Sequence, residues 1–194
     1  MKTHSTLTVI FITTVTLLLP IISLAQPSLV WAHGIGGTNH DAGYSIAVDD
    51  TGNTYTIGMF DGTVDFDPSP AIYNLTGVTG GSDMFICKLS PLGNLIWVIQ
   101  TIVGGNGGQS IALDTTSGYI YATGGTDIAK LDASGTVLWT RNIGGYPQAI
   151  DFDEYGNVYT AGLFPYGPGS TDFDPGAGTF NMSNLGMNDV YVNK

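Results

Sequence analysis

The sequence has only one cysteine, Cys87, among its 194 residues, and this excludes an internal disulfide. Basic residues are also scarce, because five Lys and Arg stand against sixteen Asp and Glu, for a formal net charge of −11. Nucleic-acid binding depends on basic side chains, so no nucleic-acid partner is expected. The repeats described below place Ala129 and Asn193 at the position of Cys87. We therefore expect this cysteine to be a half-exposed packing residue and not a reactive thiol.

Signatures of catalysis are missing as well. The sequence contains no Gly-x-Ser-x-Gly nucleophile elbow and no His-Glu-x-x-His zinc motif. The acid and base residues that break the repeat after residue 25 are His33, His40 and the single glutamate, Glu154. We interpret the histidines as solvated loop residues and Glu154 as a turn residue. No catalytic residue is predicted.

One long apolar run is present, and it lies at the N-terminus. Lys2 precedes an almost uncharged stretch over residues 7–24, and small residues at 23–25 form a cleavage site before Gln26. This pattern predicts a cleavable secretory signal peptide over residues 1–25. Since no second long apolar run follows, we expect a secreted protein, extracellular or at the cell surface, without membrane insertion after cleavage.

Glycine is abundant, at 28 residues, and it recurs within a pattern that repeats three times. Each copy contains a Trp, a Gly-Gly pair, an apolar run ending in Asp, a Gly turn, a Tyr-x-x-Gly segment and an Asp-apolar-Lys strand. The Trp, Asp, Tyr and Lys landmarks are Trp31, Asp49, Tyr55 and Lys88, then Trp97, Asp114, Tyr121 and Lys130, then Trp139, Asp153, Tyr159 and Lys194. Such units bury their apolar faces by stacking on one another. We expect one repeat domain over residues 26–194, with repeats at about 31–97, 97–139 and 139–194.

Each repeat predicts four short antiparallel strands, and no segment shows a helical apolar period. The predicted strands cover residues 44–49, 54–59, 83–89 and 94–99, then 109–114, 119–123, 127–131 and 136–140, then 148–153, 157–161 and 189–194. The expected fold is all-β, with β-propeller-type repeats in about three four-stranded blades that form an incomplete propeller. A β-sandwich is the alternative. Residues 28–32 match the fourth strand of a repeat and can supply the strand that the third repeat lacks.

The repeats resemble the SBBP family of exported bacterial β-propeller proteins. Residues 45–49, 52–58, 88–89 and 93–97 carry the resemblance. It implies a propeller fold and an exported or surface location, but no general biochemical activity. The chain departs from the family in holding about three blades, whereas closed propellers have about four to eight, and in lacking a C-terminal anchoring module. We expect a piece of a longer surface protein; a ring completed by several chains and an open arc are the alternatives.

The first and third repeats carry long insertions that each contain Asp-Phe-Asp-Pro. In an extended segment the two Asp side chains share one face, while Phe66 or Phe173 points to the other face and anchors the loop. Carboxylates at this spacing suit Ca²⁺, which takes six to eight oxygen ligands. The candidate calcium ligands are Asp61, Asp65, Asp67, Asp172 and Asp174. The alternative is that these aspartates cap turns.

The expected function is that of an exported, non-catalytic scaffold or binding and adhesion surface for a protein or a glycan, within a larger surface protein. An alternative is a hydrolase or lyase acting on an extracellular polymer, with its site at the propeller axis. That enzyme would depend on His33, His40 or Glu154. A third hypothesis is that the chain has no function separate from a larger protein.

Overall fold

The computed structural model describes residues 28–78, 81–101, 108–163, 170–187 and 189–194. These residues form β-strands and turns, and no helix occurs among them. The predicted all-β class is therefore confirmed. The predicted signal peptide and its cleavage site before Gln26 lie outside the described residues. Within the described ranges, no helix has the length and apolar character that crossing a membrane requires.

Eleven of the fifteen strands in the described residues build three antiparallel sheets. The first sheet has the order β1-β2-β5-β6, the second β7-β8-β9-β10 and the third β11-β12-β15. Their bounds are β1 Ala42–Val48, β2 Thr54–Phe60, β5 Asp83–Leu89, β6 Leu95–Thr101, β7 Gly108–Asp114, β8 Tyr119–Gly124, β9 Asp127–Leu131, β10 Val137–Asn142, β11 Tyr146–Phe152, β12 Val158–Leu163 and β15 Val190–Asn193. The first two sheets run in sequence order, so each is a meander of hairpins.

Two short hairpins lie inside the long insertions. Strands β3 Thr63–Asp65 and β4 Asn74–Thr76 pair in the first insertion, and β13 Ser170–Asp172 pairs with β14 Asn181–Ser183 in the second. The sequence prediction treated both insertions as loops and missed these four strands. A three-residue strand carries too little alternation to be recognised from sequence alone.

The sheets stack face to face in chain order. Their first strands are neighbours, because β1 contacts β7 and β7 contacts β11. Between the first and second sheets lies an apolar cluster that includes Ile57, Ile86, Ala122 and Leu131. A second cluster joins the second and third sheets through residues such as Tyr121, Ile150 and Tyr191. The described sheets do not form a closed ring.

A third apolar cluster lies on the outward face of the first sheet. Phe85, Cys87 and Leu89 of β5 pack there against Phe60 and against Phe66 of the β3–β4 hairpin. The prediction that Cys87 is half-exposed is wrong, since the side chain is 2 % exposed and burial raises the pKa of its thiol to about 12. The sequence comparison was misleading because Asn193 is only partly buried on its own sheet, whereas Ala129 is buried like Cys87.

The predicted strands of the sheets agree with the observed ones to within two residues at each end. Trp97 and Trp139 lie on β6 and β10, the outermost strands of their sheets. Residues 28–32 belong to no strand, and they do not pair with the third sheet of the same chain.

Candidate functional site

The two Asp-Phe-Asp-Pro segments adopt the same local structure. Asp65 Oδ1 accepts hydrogen bonds from the backbone N–H of Asp67 at 3.0 Å and of Tyr73 at 2.8 Å. Asp172 Oδ1 accepts the equivalent bonds from Asp174 at 3.0 Å and from Phe180 at 2.8 Å. Each first aspartate therefore ties the start of its hairpin to the returning strand. Side-chain bonds of this kind are the typical way in which Asp shapes turns.

The second aspartate of each segment forms a further turn. Asp67 Oδ1 accepts the N–H of Ser69 at 2.9 Å, and Asp174 Oδ1 accepts the N–H of Gly176 at 2.7 Å. The intervening phenylalanines anchor both hairpins, as the sequence predicted. Phe66 is 1 % exposed against Phe85, and Phe173 is 2 % exposed against Tyr191.

Asp61 lies at the base of the first hairpin, where its backbone N–H donates to Asp41 Oδ1 at 3.2 Å. Its own Oδ1 is buried, and no described group donates a hydrogen bond to it. Unpaired buried oxygens of this kind are uncommon and call for a water or an ion as partner. Among the candidate ligands, Asp61 is therefore the one with a buried carboxylate oxygen that accepts no hydrogen bond from a described group.

The structure divides the five candidate calcium ligands between two hairpins. Asp61, Asp65 and Asp67 belong to the first hairpin, and Asp172 and Asp174 belong to the second. Over the described ranges, no three His, Cys, Asp or Glu side chains converge as metal ligands. The hydrogen bonds of four of these aspartates match the turn-forming interpretation, and calcium binding stays a prediction.

Any effect of calcium should be confined to the two hairpins. At ten times its dissociation constant, one bound calcium would stabilise the fold by roughly 1.4 kcal/mol through mass action. The test is thermal unfolding with calcium or with a chelator, on the wild type and on a variant with Asp65→Asn, Asp67→Asn, Asp172→Asn and Asp174→Asn. An equal shift in both proteins, or no shift in the wild type, would contradict the metal assignment. A variant that is less stable even in chelator would identify the aspartates as turn formers.

A group of Asp, Tyr and Lys recurs at the first hairpin of each sheet. In the first sheet, Asp49 Oδ2 accepts a hydrogen bond from the Tyr55 hydroxyl at 3.3 Å and lies 3.8 Å from Lys88 Nζ. Lys88 Nζ also lies 4.6 Å from the centre of the Tyr55 ring. In the third sheet, the Tyr159 hydroxyl donates to Asp153 at 2.9 Å. The sequence pattern contained all three residue types but did not show that they touch.

The second sheet keeps only part of this arrangement. Lys130 Nζ lies 5.2 Å from the centre of the Tyr121 ring and 3.7 Å from that of Tyr119. Asp114 accepts hydrogen bonds from Thr116 and Ser117 of its own turn. In the first and third sheets the group links a turn to the neighbouring strand, and it therefore serves the fold of those sheets.

Hydrogen bonds hold the pKa of several turn carboxyls below its usual range. At Asp49, burial acts to raise the pKa, but bonds from Asn53 and Thr51 outweigh it and leave the pKa well below its ordinary value. At Asp153, several hydrogen bonds, with that from the Asn157 side chain as the largest influence, together lower the pKa to about 2. Hydrogen bonds also lower the pKa of Asp114, Asp132 and Asp172.

We expect the fold to lose stability in acid. A carboxyl whose pKa is lower in the folded than in the unfolded chain stabilises the fold above the unfolded pKa of 3.8, and this stabilisation is lost as the pH falls towards about 2. Urea unfolding midpoints should therefore fall between about pH 4 and pH 2. The variant Asp49→Asn, Asp153→Asn should show a weaker pH dependence, whereas Asp50→Asn, an exposed neighbour in the first turn, should match the wild type. The same slope in all three proteins would contradict this account.

The three residues on which the alternative enzyme would depend do not lie together. His33 is exposed and stacks on Trp31 with ring centres 5.3 Å apart, and His40 is also exposed. Glu154 is exposed in the turn between β11 and β12, on a different sheet. The Gly36-Gly37 and Gly144-Gly145 pairs lie at turns that enter the first and third sheets, while the pair at 104–105 falls outside the described residues.

No model of a known protein family matches this chain, and a search of curated proteins found no similar sequence.

Proposed function

We propose that this chain is an exported, non-catalytic β-propeller-type repeat module that presents a binding or adhesion surface for a protein or a glycan. The observation that carries this proposal is the stacking of the three sheets through equivalent faces, with their first strands in contact. In a propeller, blades of four antiparallel strands are arranged around a central axis. Strands β1, β7 and β11 would then line that axis.

The use of charged residues supports a non-catalytic role. Most of the acidic side chains with known hydrogen-bond partners hold turns, as at Asp49, Asp132 and Asp153. Catalysis by acid and base requires titratable groups placed within reach of the same substrate atoms. His33, His40 and Glu154 are exposed and lie on separate turns and segments. Their placement favours a scaffold over an enzyme.

The hairpin tips supply the surface that we expect to bind. Ile72 is 73 % exposed, Tyr73 is 48 % exposed and Phe180 is 63 % exposed. Tyr73 and Phe180 are equivalent residues, because each follows its hairpin tip and donates its N–H to the first aspartate of the segment. Exposed apolar and aromatic side chains on loops held by rigid strands are typical of recognition sites. Their rings offer flat surfaces to a sugar or to a protein side chain.

The test is a glycan array together with a polysaccharide-hydrolysis screen on the purified chain. We expect binding to at least one glycan class or protein ligand and no hydrolysis. The variant Tyr73→Ala, Phe180→Ala should lose that binding, while Leu138→Ala, an exposed apolar residue on β10, should retain it. Release of products from any polymer would overturn the proposal in favour of an enzyme. Binding that both variants share equally with the wild type would overturn the assignment of the binding surface to the hairpin tips.

A further inference from the structure

The segment over residues 31–35 occupies the place of a fourth strand from a sheet that precedes the first. Trp31 Nε1 donates to the backbone oxygen of Pro91 at 3.0 Å. In the same way, Trp97 Nε1 donates to the oxygen of Ala133 at 3.3 Å. Pro91 and Ala133 are equivalent turn residues of the first and second sheets. The segment therefore lies against the first sheet as β6 lies against the second.

Two glycines of these turns support the same equivalence. A Cβ atom at Gly135 would lie 3.3 Å from the Trp97 ring, and one at Gly93 would lie 3.1 Å from the Trp31 ring. Both glycines have positive φ, at 86° and 79°. The sheet to which β6 belongs is present beside it, whereas no sheet of the described residues includes the segment at 31–35.

Within one chain, the face of the first sheet that such a sheet would cover is covered only in part, because Cys87 and Leu89 are 2 % and 6 % exposed while Ile46 stays open. A cavity of about 260 Å³ lies there, lined in part by Trp31 of the segment and by Ile46, Thr56, Cys87 and Leu89 of the sheet. These four sheet residues match Ile111, Ala122, Ala129 and Leu131 of the second sheet. The matching residues are at most 6 % exposed, because the first sheet covers them. Ile46, by contrast, is 61 % exposed.

The third sheet has the complementary features at the other end of the stack. The part of the chain that the structure describes contributes three strands to it, and β15 lies at its outer edge. Its outward face carries Val190 at 73 % and Val192 at 74 % exposure. The equivalent residues of the first sheet are Met84 at 2 % and Ile86 at 0 %, both covered by the second sheet. An open edge and an apolar face of this kind are expected to acquire a partner.

We propose that two copies of this chain associate head to tail, with the third sheet of each packed on the first sheet of the other. The segment at 31–35 of one copy would add to β15 of the other as a fourth strand. Such an interface joins the third sheet of one copy to the first sheet of the other. Each copy has one surface of each kind, so a closed pair contains two of these interfaces. The pair would contain six sheets, within the range of about four to eight found in closed propellers. The proposal rests on the sheet geometry and not on the binding role proposed above.

The pairing of the added strand follows from the other two sheets. Lys88 opposes Trp97 and Cys87 opposes Val98 in the first sheet, and Lys130 opposes Trp139 in the second. The equivalent register places Lys194 of one copy opposite Trp31 of the other and Asn193 opposite Ala32. Added strands gain backbone hydrogen bonds along their length, and the packing of alternate side chains such as Trp31 selects this register.

The first test is the mass of the purified chain in solution, measured by sedimentation over a range of concentrations. We expect twice the mass of a single chain. Val192→Asp and Ile46→Asp should each raise the dissociation constant about 100-fold or more, because each places a charge in an apolar interface. Leu138→Asp, on the middle sheet, should leave it unchanged. Because Val192 and Ile46 are exposed within one chain, circular dichroism of the monomeric variants should match the wild type. The proposal would be overturned by a monomer at all concentrations, by an open polymer, or by a dimer whose dissociation constant neither substitution changes.

Mixing the two variants separates head-to-tail pairing from a symmetric contact. In a mixed pair both substitutions fall in one interface, and the other interface remains wild type. The mixture should therefore associate more tightly than either variant alone. Association that is no tighter in the mixture would overturn head-to-tail pairing.

A cross-link tests the added strand directly. Ala32→Cys combined with Asn193→Cys should give disulfide-linked dimers under a mild oxidant, while either substitution alone should give none across this pair. Cys87 is 2 % exposed and can stay in place. A double variant that forms no linked dimer while remaining folded and dimeric would overturn the added-strand register.

Discussion

Replacing Gly58 by alanine is expected to destabilise the fold by about 3 kcal/mol or more, the upper part of the range for overpacking. A Cβ atom at this position would lie 2.0 Å from the backbone oxygen of Ala42 and 2.8 Å from the Phe85 ring. The ring can turn, but the carbonyl belongs to β1, which is paired with β2 along its length. The strand would have to separate from its neighbour. Urea unfolding should show the loss as a lower midpoint.

Gly34→Ala is the matched control for this substitution. No atom outside residues 33–35 lies within 4 Å of a Cβ at Gly34, and its φ is not positive. The control should change the free energy of unfolding by less than about 0.5 kcal/mol. Equal stability of the Gly58 and Gly34 variants would show that β1 can move aside without cost.

The same geometry explains the Tyr-x-x-Gly pattern. At Gly162, a Cβ would lie 2.0 Å from the backbone oxygen of Tyr146. Both glycines lie opposite an irregularity in the first strand, between Gly43 and Ser45 in β1 and between Pro147 and Ala149 in β11. A bulge brings the carbonyl of the first strand over the second, where only glycine leaves room. The repeated glycine therefore belongs to the sheet and not to a ligand site.

Replacing Ile86 by alanine is expected to destabilise the fold by about 4 kcal/mol, within the range for removing a buried aliphatic side chain. Ile86 is 0 % exposed and packs in the cluster between the first and second sheets. The cavity that the substitution leaves cannot collapse easily, because the residues on both sides of it belong to paired strands. The loss should appear in both thermal and urea unfolding.

Ile72→Ala removes the same side chain from a hairpin tip where it is 73 % exposed. This control should change stability by no more than about 0.5 kcal/mol. A similar small effect at Ile86 would mean that the first and second sheets do not pack as described.

The sequence was informative about the strands of the sheets because their landmarks are fixed by geometry. Positive φ at Gly52 and Gly156 forces glycine into the first turn of two sheets, and Asp49 and Asp153 accept the backbone bonds of the same turns. Residues with such strict local requirements recur wherever the turn recurs. Their spacing therefore located the strands between them.

The contacts of the candidate site were harder to predict from the sequence than the strands were. The aspartates at 65 and 172 were recognised, but their bonds to Tyr73 and Phe180 span eight residues. Such a contact depends on how the hairpin folds back, and a local pattern does not contain that information. The burial of Cys87 was missed for a similar reason, since it depends on packing against Phe60 and Phe66 from outside its own strand.

The second sheet differs from its neighbours in being covered on both faces within one chain. On β8, Ile120 and Ala122 face the first sheet, and Tyr121 faces the third; all three are at most 2 % exposed. Local opening can begin at either outer sheet while the middle one stays intact, but the middle sheet cannot open without losing both interfaces. Amide protons of β8 and β9 should therefore exchange with solvent only when the whole stack comes apart, so their exchange rates report the global stability of the chain.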